Sequence, residues 1–413
     1  MRPLRLLSRG FAALIVLLSL ALAPPALAAP KGPVILISVD GFRADYLDRG
    51  VSPVLSALAG SGVRAAMRPS FPSITFPNHY TLVTGLRPDH HGIVDNAMDD
   101  PAIPPGHFSL ATASVTDHRW WDDAEPLWVT ADRQGLKTAT MFWPGSEAEI
   151  HGLRPDYWTK FNQAMPATAR VDQVLAWLDL PAATRPGFIT LYFDKVDHEG
   201  HMAGPDSPEV NAAVADTDAA IGRLVEGLKA RKLFDRVNLI VVADHGMAAI
   251  SSDRVVYLDD AADLTGVKVV TLGPTAGLEV TAAAPPDTTA KLLAPQAHAQ
   301  CWRKAEIPAE YHYGTHRRVP PVFCLAETGW MISTHDRMAK TKVFMKGAHG
   351  YRVDAPEMAA LFIAHGPAFR SGKRLATFDN VDVYGVTAKV LGVTPRANDG
   401  SPKTFKPVLT DTK

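Results

Sequence analysis

Five short apolar runs punctuate the chain, at 34–39, 138–143, 188–193, 237–243 and 359–364. Continuous runs of this length are what strands buried on both faces of a parallel sheet require. Between them the apolar positions shift to a helical period. Segments 51–59, 169–178 and 380–391 read as helices, and in 208–229 Val214, Ile221, Leu224 and Leu228 recur on one face. Strands alternating with helices predict an α/β fold, with a mostly parallel central sheet covered by helices on both faces.

Two stretches interrupt this rhythm. Residues 95–130, rich in Asp, Pro and Trp, read as a long loop. Residues from about 265 to 345 mix strand-like pieces (267–272, 277–282 and 322–325) with Pro and the only two cysteines, Cys301 and Cys324. The expected organisation is one catalytic domain over 29–413, carrying 265–345 as a small inserted subdomain.

The N-terminus follows different rules. Arg2, Arg5 and Arg9 precede an apolar run over 11–23, and Ala26-Leu27-Ala28 supplies the small-x-small pattern of a cleavage site. The run falls short of the roughly 20 residues a bilayer span needs. Residues 1–28 therefore read as a cleavable signal peptide, giving a periplasmic or secreted chain with no membrane anchor after cleavage. In an exported protein the two cysteines are expected to pair, and closing that loop stabilises by about 3 kcal/mol in the chain-entropy picture. The net charge of −1 argues against a stable nucleic-acid complex.

Candidate chemistry gathers where the strand-like runs end. The first run stops at Asp40-Gly41, the third leads to Asp194, Asp197 and His201, and the fourth stops at Asp244-His245-Gly246. His349 lies between Gly347 and Gly350, shortly before the last run. In open α/β sheets, ligands collect at the carboxyl ends of the strands. Carboxylates converging there repel unless a cation sits among them, and mixed Asp and His donors suit zinc. Thr75, in Pro72-Ser73-Ile74-Thr75-Phe76-Pro77-Asn78-His79-Tyr80, can cap a helix that begins at Phe76. Its hydroxyl can equally bind a metal and attack phosphorus. Residue types alone leave both readings open.

The stretch Phe-Pro-Ser-Ile-Thr-Phe-Pro-Asn-His-Tyr-Thr-Leu-Val-Thr-Gly at 71–85 continues to His91-Gly92-Ile93-Val94-Asp95-Asn96. With Phe142-Trp143-Pro144-Gly145-Ser146, Asp197…His201, Asp244-His245-Gly246-Met247 and Gly347-Ala348-His349-Gly350, it resembles the nucleotide pyrophosphatase/phosphodiesterase family of the alkaline phosphatase superfamily. The resemblance implies an alkaline-phosphatase-like fold, two zinc ions per chain and a phosphothreonine intermediate on Thr75. Asp40, Thr75, Asp244 and His245 match the ligands of one zinc, and Asp197, His201 and His349 those of the other. Asn96 matches an amide donor to a phosphate oxygen. Phe76 and Phe161 match an aromatic pair that sandwiches a nucleobase, with Tyr192 a nearby pocket tyrosine.

Phe161 stands where a tyrosine is frequent, and Val196 replaces a proline before Asp197. Ile74 and Ala97 occupy positions where some members carry lysine. The implied substrate is a nucleotide or another small phosphodiester. Glycerophosphodiester and phosphomonoester hydrolysis are the alternatives within the superfamily, and metal binding without turnover is the alternative outside it. No Arg or Lys adjoins Thr75 or Asn96 in sequence to meet a monoester's extra charge. His79, His90, His91 and His365 read as structural, and His198 and Glu199 as facing solvent. For Trp120, Trp121 and Trp128, anchoring the loop competes with lining a cleft.

Overall fold

In the computed structural model, which describes residues 32–410, the apolar runs form the middle of a nine-stranded sheet. The expected signal peptide lies outside these residues. The strand order is Lys373–Arg374, Val63–Arg68, Ala360–His365, Asn238–Val242, Val34–Val39, Phe188–Phe193, Thr138–Met141 and Tyr157–Trp158. Phe378–Asp379 also pairs with Val63–Arg68. Every residue of Val34–Val39, Phe188–Phe193 and Asn238–Val242 is buried, so these strands carry no alternation.

One strand departs from the parallel reading. Ala360–His365 runs antiparallel to both its neighbours. An unbroken apolar run reports burial on two faces and carries no information about direction.

The helices Pro53–Ser61, Ala167–Leu178, Lys195–Ala203 and Pro208–Ala230 form one packed group. Thr75–Thr84, Leu127–Arg133 and Asp382–Leu391 form another. Since both faces of the central strands are covered, the two groups make a layer on each side.

Residues 95–130 are more ordered than a loop. Ala97–Asp99 pairs with His107–Ser109, and short 3-10 turns follow at Ala113–Thr116 and His118–Trp120. Trp120, Trp121 and Trp128 are fully buried and anchor the segment. Within the insertion, Val267–Thr271, Thr275–Val280, Val322–Ala326 and Ala299–Arg303 form a separate antiparallel sheet in that order. It has its own apolar cluster, including Leu278, Leu292 and Ile332. Cys301 lies opposite Cys324 in register, and the two are disulfide-bonded. On the way back, Gly347–Ala348 pairs with Ala248–Ala249, so the chain returns to the core where it left.

Candidate active site

Three adjacent parallel strands, Asn238–Val242, Val34–Val39 and Phe188–Phe193, end at the same sheet edge. They deliver Asp244-His245, Asp40, and the helix Lys195–Ala203 with Asp197 and His201. Asp197 and His201 are one turn apart, so both project from the same helix face. Gly41 makes this crowding possible. Its φ is +66°, and a Cβ there would lie 2.9 Å from the Asp197 backbone. Its N–H donates to Asp244 Oδ1 at 3.1 Å.

The Thr75 helix starts one residue earlier than the capping pattern suggests. It spans Thr75–Thr84, with Ile74 at the cap position and no side-chain cap. Of the two readings left open for Thr75, capping is therefore not the role its side chain fills. Its Oγ1 lies 3.2 Å from His245 Nε2 instead. The Phe76 N–H, one of the helix's orphan donors, is taken by Asn96 Oδ1 at 2.9 Å. That bond fixes the carboxamide and leaves its NH₂ as the group free for a ligand.

The imidazoles share one orientation. Each Nδ1 sits on a backbone carbonyl: His245 on Gly246 at 2.9 Å, His201 on Gly347 at 2.8 Å and His349 on Ser73 at 3.0 Å. Nδ1 is then the protonated nitrogen, and the Nε2 lone pairs point inward, the arrangement metal-ligating histidines adopt. His349 Nε2 and His201 Nε2 are 3.1 Å apart. Two acceptors facing each other at that distance call for a shared cation or proton.

The carboxylates tell the same story. Asp40 Oδ1, Asp197 Oδ1 and Asp244 Oδ2 are buried without a hydrogen-bond partner among the described residues. His245 Nε2 lies 2.9 Å from Asp244 Oδ2 and 3.6 Å from Asp40 Oδ1. Asp197 reaches His201 Nε2 at 3.4 Å and His349 Nε2 at 3.6 Å. Donor atoms of Asp40, Asp244 and His245 lie within 4.8 Å of one another, as do those of Asp197, His245 and His349. His245 thus touches both groups, and its ring stacks on His349 at 3.5 Å. Buried, unpartnered carboxylate oxygens among inward-facing Nε2 atoms fit divalent cations, and the mixed donors suit zinc.

The charges of the cluster act strongly on one another. Burial, and then the charges of Asp244 and Asp197, push the Asp40 carboxyl well above its usual range. Burial opposes charge on His245, yet the neighbouring Asp244 carboxylate outweighs it and raises the imidazole. Burial, and then the His245 and His201 rings, hold His349 well below the usual range.

A cleft of about 460 Å³ opens onto the cluster, lined by Thr75, Asn96, Phe76, Phe161 and Tyr192 among others. Phe76 packs near Phe108 and Trp121, while the exposed Phe161 meets Phe142 and Tyr192 edge-on. Phe142, the residue after the Thr138–Met141 strand, has a φ of +62°, a left-handed conformation uncommon for non-glycine residues. Tyr192 also donates its hydroxyl to Asp40 Oδ2 at 2.6 Å, which makes it a support for the cluster as well as a wall of the cleft.

The remaining histidines divide. His79 bridges Ser38 Oγ at 2.8 Å and the Thr75 carbonyl at 2.9 Å, and lies 3.3 Å from Asp244 Oδ2. His91 is buried beside Thr81, His90 pairs with Asp399, and His365 stacks on Phe234. His198 is exposed, as read, and stands at the cleft rim, while Glu199 is half-buried. Asp194, read at the end of the third run, also lines the cleft, as do Glu147, Met202 and Met345, which no motif in the sequence signals. A larger cleft, of about 670 Å³ beside the insertion, has no converging donor set, and its Lys268, Arg317 and Arg318 pair with Asp99, Asp100 and Asp123.

An α/β sheet that gathers Asp and His donors and a hydroxyl at one edge defines a metal-dependent hydrolase of the alkaline-phosphatase-like class. Residues 34–352 match the family described as type I phosphodiesterase / nucleotide pyrophosphatase. The chain belongs to that family and is a hydrolase of phosphodiester bonds. An uncharacterized pyrophosphatase/phosphodiesterase of Schizosaccharomyces pombe is 40% identical over 380 residues, covering 89% of this chain and 78% of the yeast protein. Ectonucleotide pyrophosphatase/phosphodiesterase family member 1 of Mus musculus is 39% identical, covering 89% of this chain and 42% of the mouse protein. The venom phosphodiesterase of Crotalus durissus collilineatus is 37% identical, covering 90% and 46%. The chain thus spans less than half the length of the mouse and venom relatives. The solved structure of murine ectonucleotide pyrophosphatase/phosphodiesterase 5 superposes with a TM-score of 0.87 at 34% identity, over 92% of this chain and 100% of that one. An inactive threonine-to-alanine variant of the murine protein, in complex with AMP, superposes equally well.

Proposed function

We propose that this chain is an exported, two-zinc nucleotide pyrophosphatase/phosphodiesterase whose nucleophile is Thr75. The observation that carries the reading is the placement of Thr75 Oγ1 3.2 Å from His245 Nε2, beside three buried carboxylate oxygens without a hydrogen-bond partner among the described residues and at the mouth of an aromatic cleft. Asp40, Asp244, His245 and Thr75 would hold one ion, and Asp197, His201 and His349 the other. Bound zinc lowers the pKa of hydroxyl groups and polarises phosphoryl oxygens.

Thr75 Oγ1 releases its proton to solvent and forms a bond to phosphorus as the bond to the leaving oxygen breaks, the electron pair of that bond passing to the leaving oxygen, which is protonated from solvent. A water then attacks from the vacated side. Its oxygen bonds to phosphorus as the Oγ1–phosphorus bond of the phosphothreonine breaks, and Thr75 regains a proton. Two in-line displacements give net retention. The Asn96 NH₂ donates to a phosphoryl oxygen, and Phe76 and Phe161 flank the base.

The AMP complex of the inactive murine variant supports both the nucleotide and the role of a threonine hydroxyl. Export is supported by the ectoenzyme and venom names of the relatives, and no helix among the described residues is long and apolar enough to cross a membrane. Residues 29–413 form the catalytic domain, with 265–345 as its insertion. Initial rates on dinucleotides, nucleoside triphosphates, glycerophosphodiesters and monoesters, with metal analysis of the same samples, test the proposal. Nucleotide diesters or anhydrides should lead the panel, with two zinc ions per active chain. Faster monoester turnover, or full activity with one ion or none, overturns it.

A further inference from the structure

We infer that the leaving-group side of the cleft receives an uncharged, apolar alcohol, so that nucleotide diesters, rather than nucleoside triphosphates, are the preferred substrates; this rests on the diesterase reading above. In-line attack by Thr75 places the leaving oxygen on the far side of phosphorus. The donor set away from Thr75 is Asp197, His201 and His349, and the side chains beside it decide what can leave.

Those neighbours are thioethers. Met202 follows His201 on its helix, and Met345 lies just before the Gly347–Ala348 strand that leads into His349; both line the cleft. They are 42% and 48% exposed. Among the described residues the large apolar side chains left exposed are Leu110, Trp158, Phe161, Met202, Val269, Val343 and Met345. Four of these seven, Leu110, Phe161, Met202 and Met345, line this one cleft. Exposed apolar area concentrated at one site marks a place where apolar ligand surface is buried, and unbranched thioethers adapt to varied shapes.

Charge points the same way. The cleft lining contains no Lys or Arg, but it includes Glu147 and Asp194 besides the acidic members of the donor cluster. Arg170, nearby, is buried and committed to Asp194 at 2.7 Å, and Lys195 pairs with Asp216. A departing pyrophosphate carries several negative charges and needs fixed cations to meet them. A departing alcohol such as a nucleoside needs none, and its base or other apolar body can lie on Met202 and Met345.

Turnover of a dinucleoside monophosphate and of ATP by zinc-loaded enzyme tests this, comparing wild type, the Met202→Ala/Met345→Ala double variant and Met345→Lys. Both positions are exposed, so the variants should fold. The ratio of kcat/KM for the dinucleotide to that for ATP should fall about tenfold in the double variant, the loss expected of a removed stacking surface. Met345→Lys should move the ratio further toward ATP. Calorimetric binding to Thr75→Ala protein gives a readout without turnover, and should favour the dinucleotide about tenfold or more. ATP preferred by wild type, with a ratio that neither variant moves, overturns this inference alone. Turnover of neither substrate overturns the diesterase reading and this inference with it.

Discussion

Replacing Tyr192 by Phe removes one oxygen and leaves the rest of the cleft wall in place. That oxygen donates to Asp40 Oδ2 at 2.6 Å, while Asp40 Oδ1 has no hydrogen-bond partner among the described residues. The hydroxyl's hydrogen bond therefore favours and orients the ionised carboxylate, although burial and the charges of Asp244 and Asp197 outweigh it. Hydrogen bonds to charged groups contribute about 1.5–3 kcal/mol, and about 1.4 kcal/mol is a factor of ten, so zinc affinity at the Asp40 site should fall about 10- to 100-fold. Competition against a chelator of known affinity reads this directly. Excess zinc should restore most of the turnover, because the ring that faces Phe161 remains. An affinity within about twofold of wild type would refute the reasoning. A rate loss that excess zinc leaves untouched would place the hydroxyl's effect on the substrate instead.

Thr75→Ala should abolish turnover in a diester assay, whereas Thr75→Ser should keep a measurable fraction, since only the hydroxyl is required. Because Thr75 makes no cap hydrogen bond, the helix should lose little stability in either variant, which thermal unfolding will show. Phe161→Ala should weaken nucleotide esters by one to two orders of magnitude, as stacking contributes roughly 1–3 kcal/mol, and should affect a small chromogenic diester much less; equal losses count against the sandwich. Burial pushes the Asp95 carboxyl up to about 7. With an unfolded value near 3.9, the folded state binds the extra proton between pH 4 and 7, so this group's contribution to stability declines as pH rises through that window. Asp95→Asn should flatten the decline, removing roughly 2.6 kcal/mol of the stability difference between pH 5 and pH 8 in chemical denaturation.

The legible parts of the fold were those whose burial is uniform. Phe188–Phe193 is covered on both faces, so its composition alone announces a strand. Val63–Arg68 escapes that filter because Arg64, Ala66 and Arg68 face a partly open side, leaving a short alternation that resembles many loops. Ala299–Arg303 escapes for a similar reason, with Gln300 and Arg303 exposed. The donors at the strand ends could be read because each follows its strand within a few residues. The supporting shell could not. Arg170 holds Asp194 from a helix 24 residues earlier, and Tyr192 meets Asp40 across two strands; neither contact leaves a local pattern. Family likeness names Tyr192 as a pocket residue, but only coordinates show that it supports a carboxylate.

The pairing of Gly347–Ala348 with Ala248–Ala249 has a consequence for how the protein comes apart. His245 lies just before the excursion and His349 just after it, and their stacked rings belong to neighbouring donor sets. An ion held by Asp197 and His201 before the excursion and His349 after it would act as a clasp across the whole excursion, as a cross-link does across a long loop, where closure has the most entropy to remove. Opening the inserted sheet would then require the clasp to release, so protection of its backbone amides against hydrogen exchange should rise and fall with the zinc.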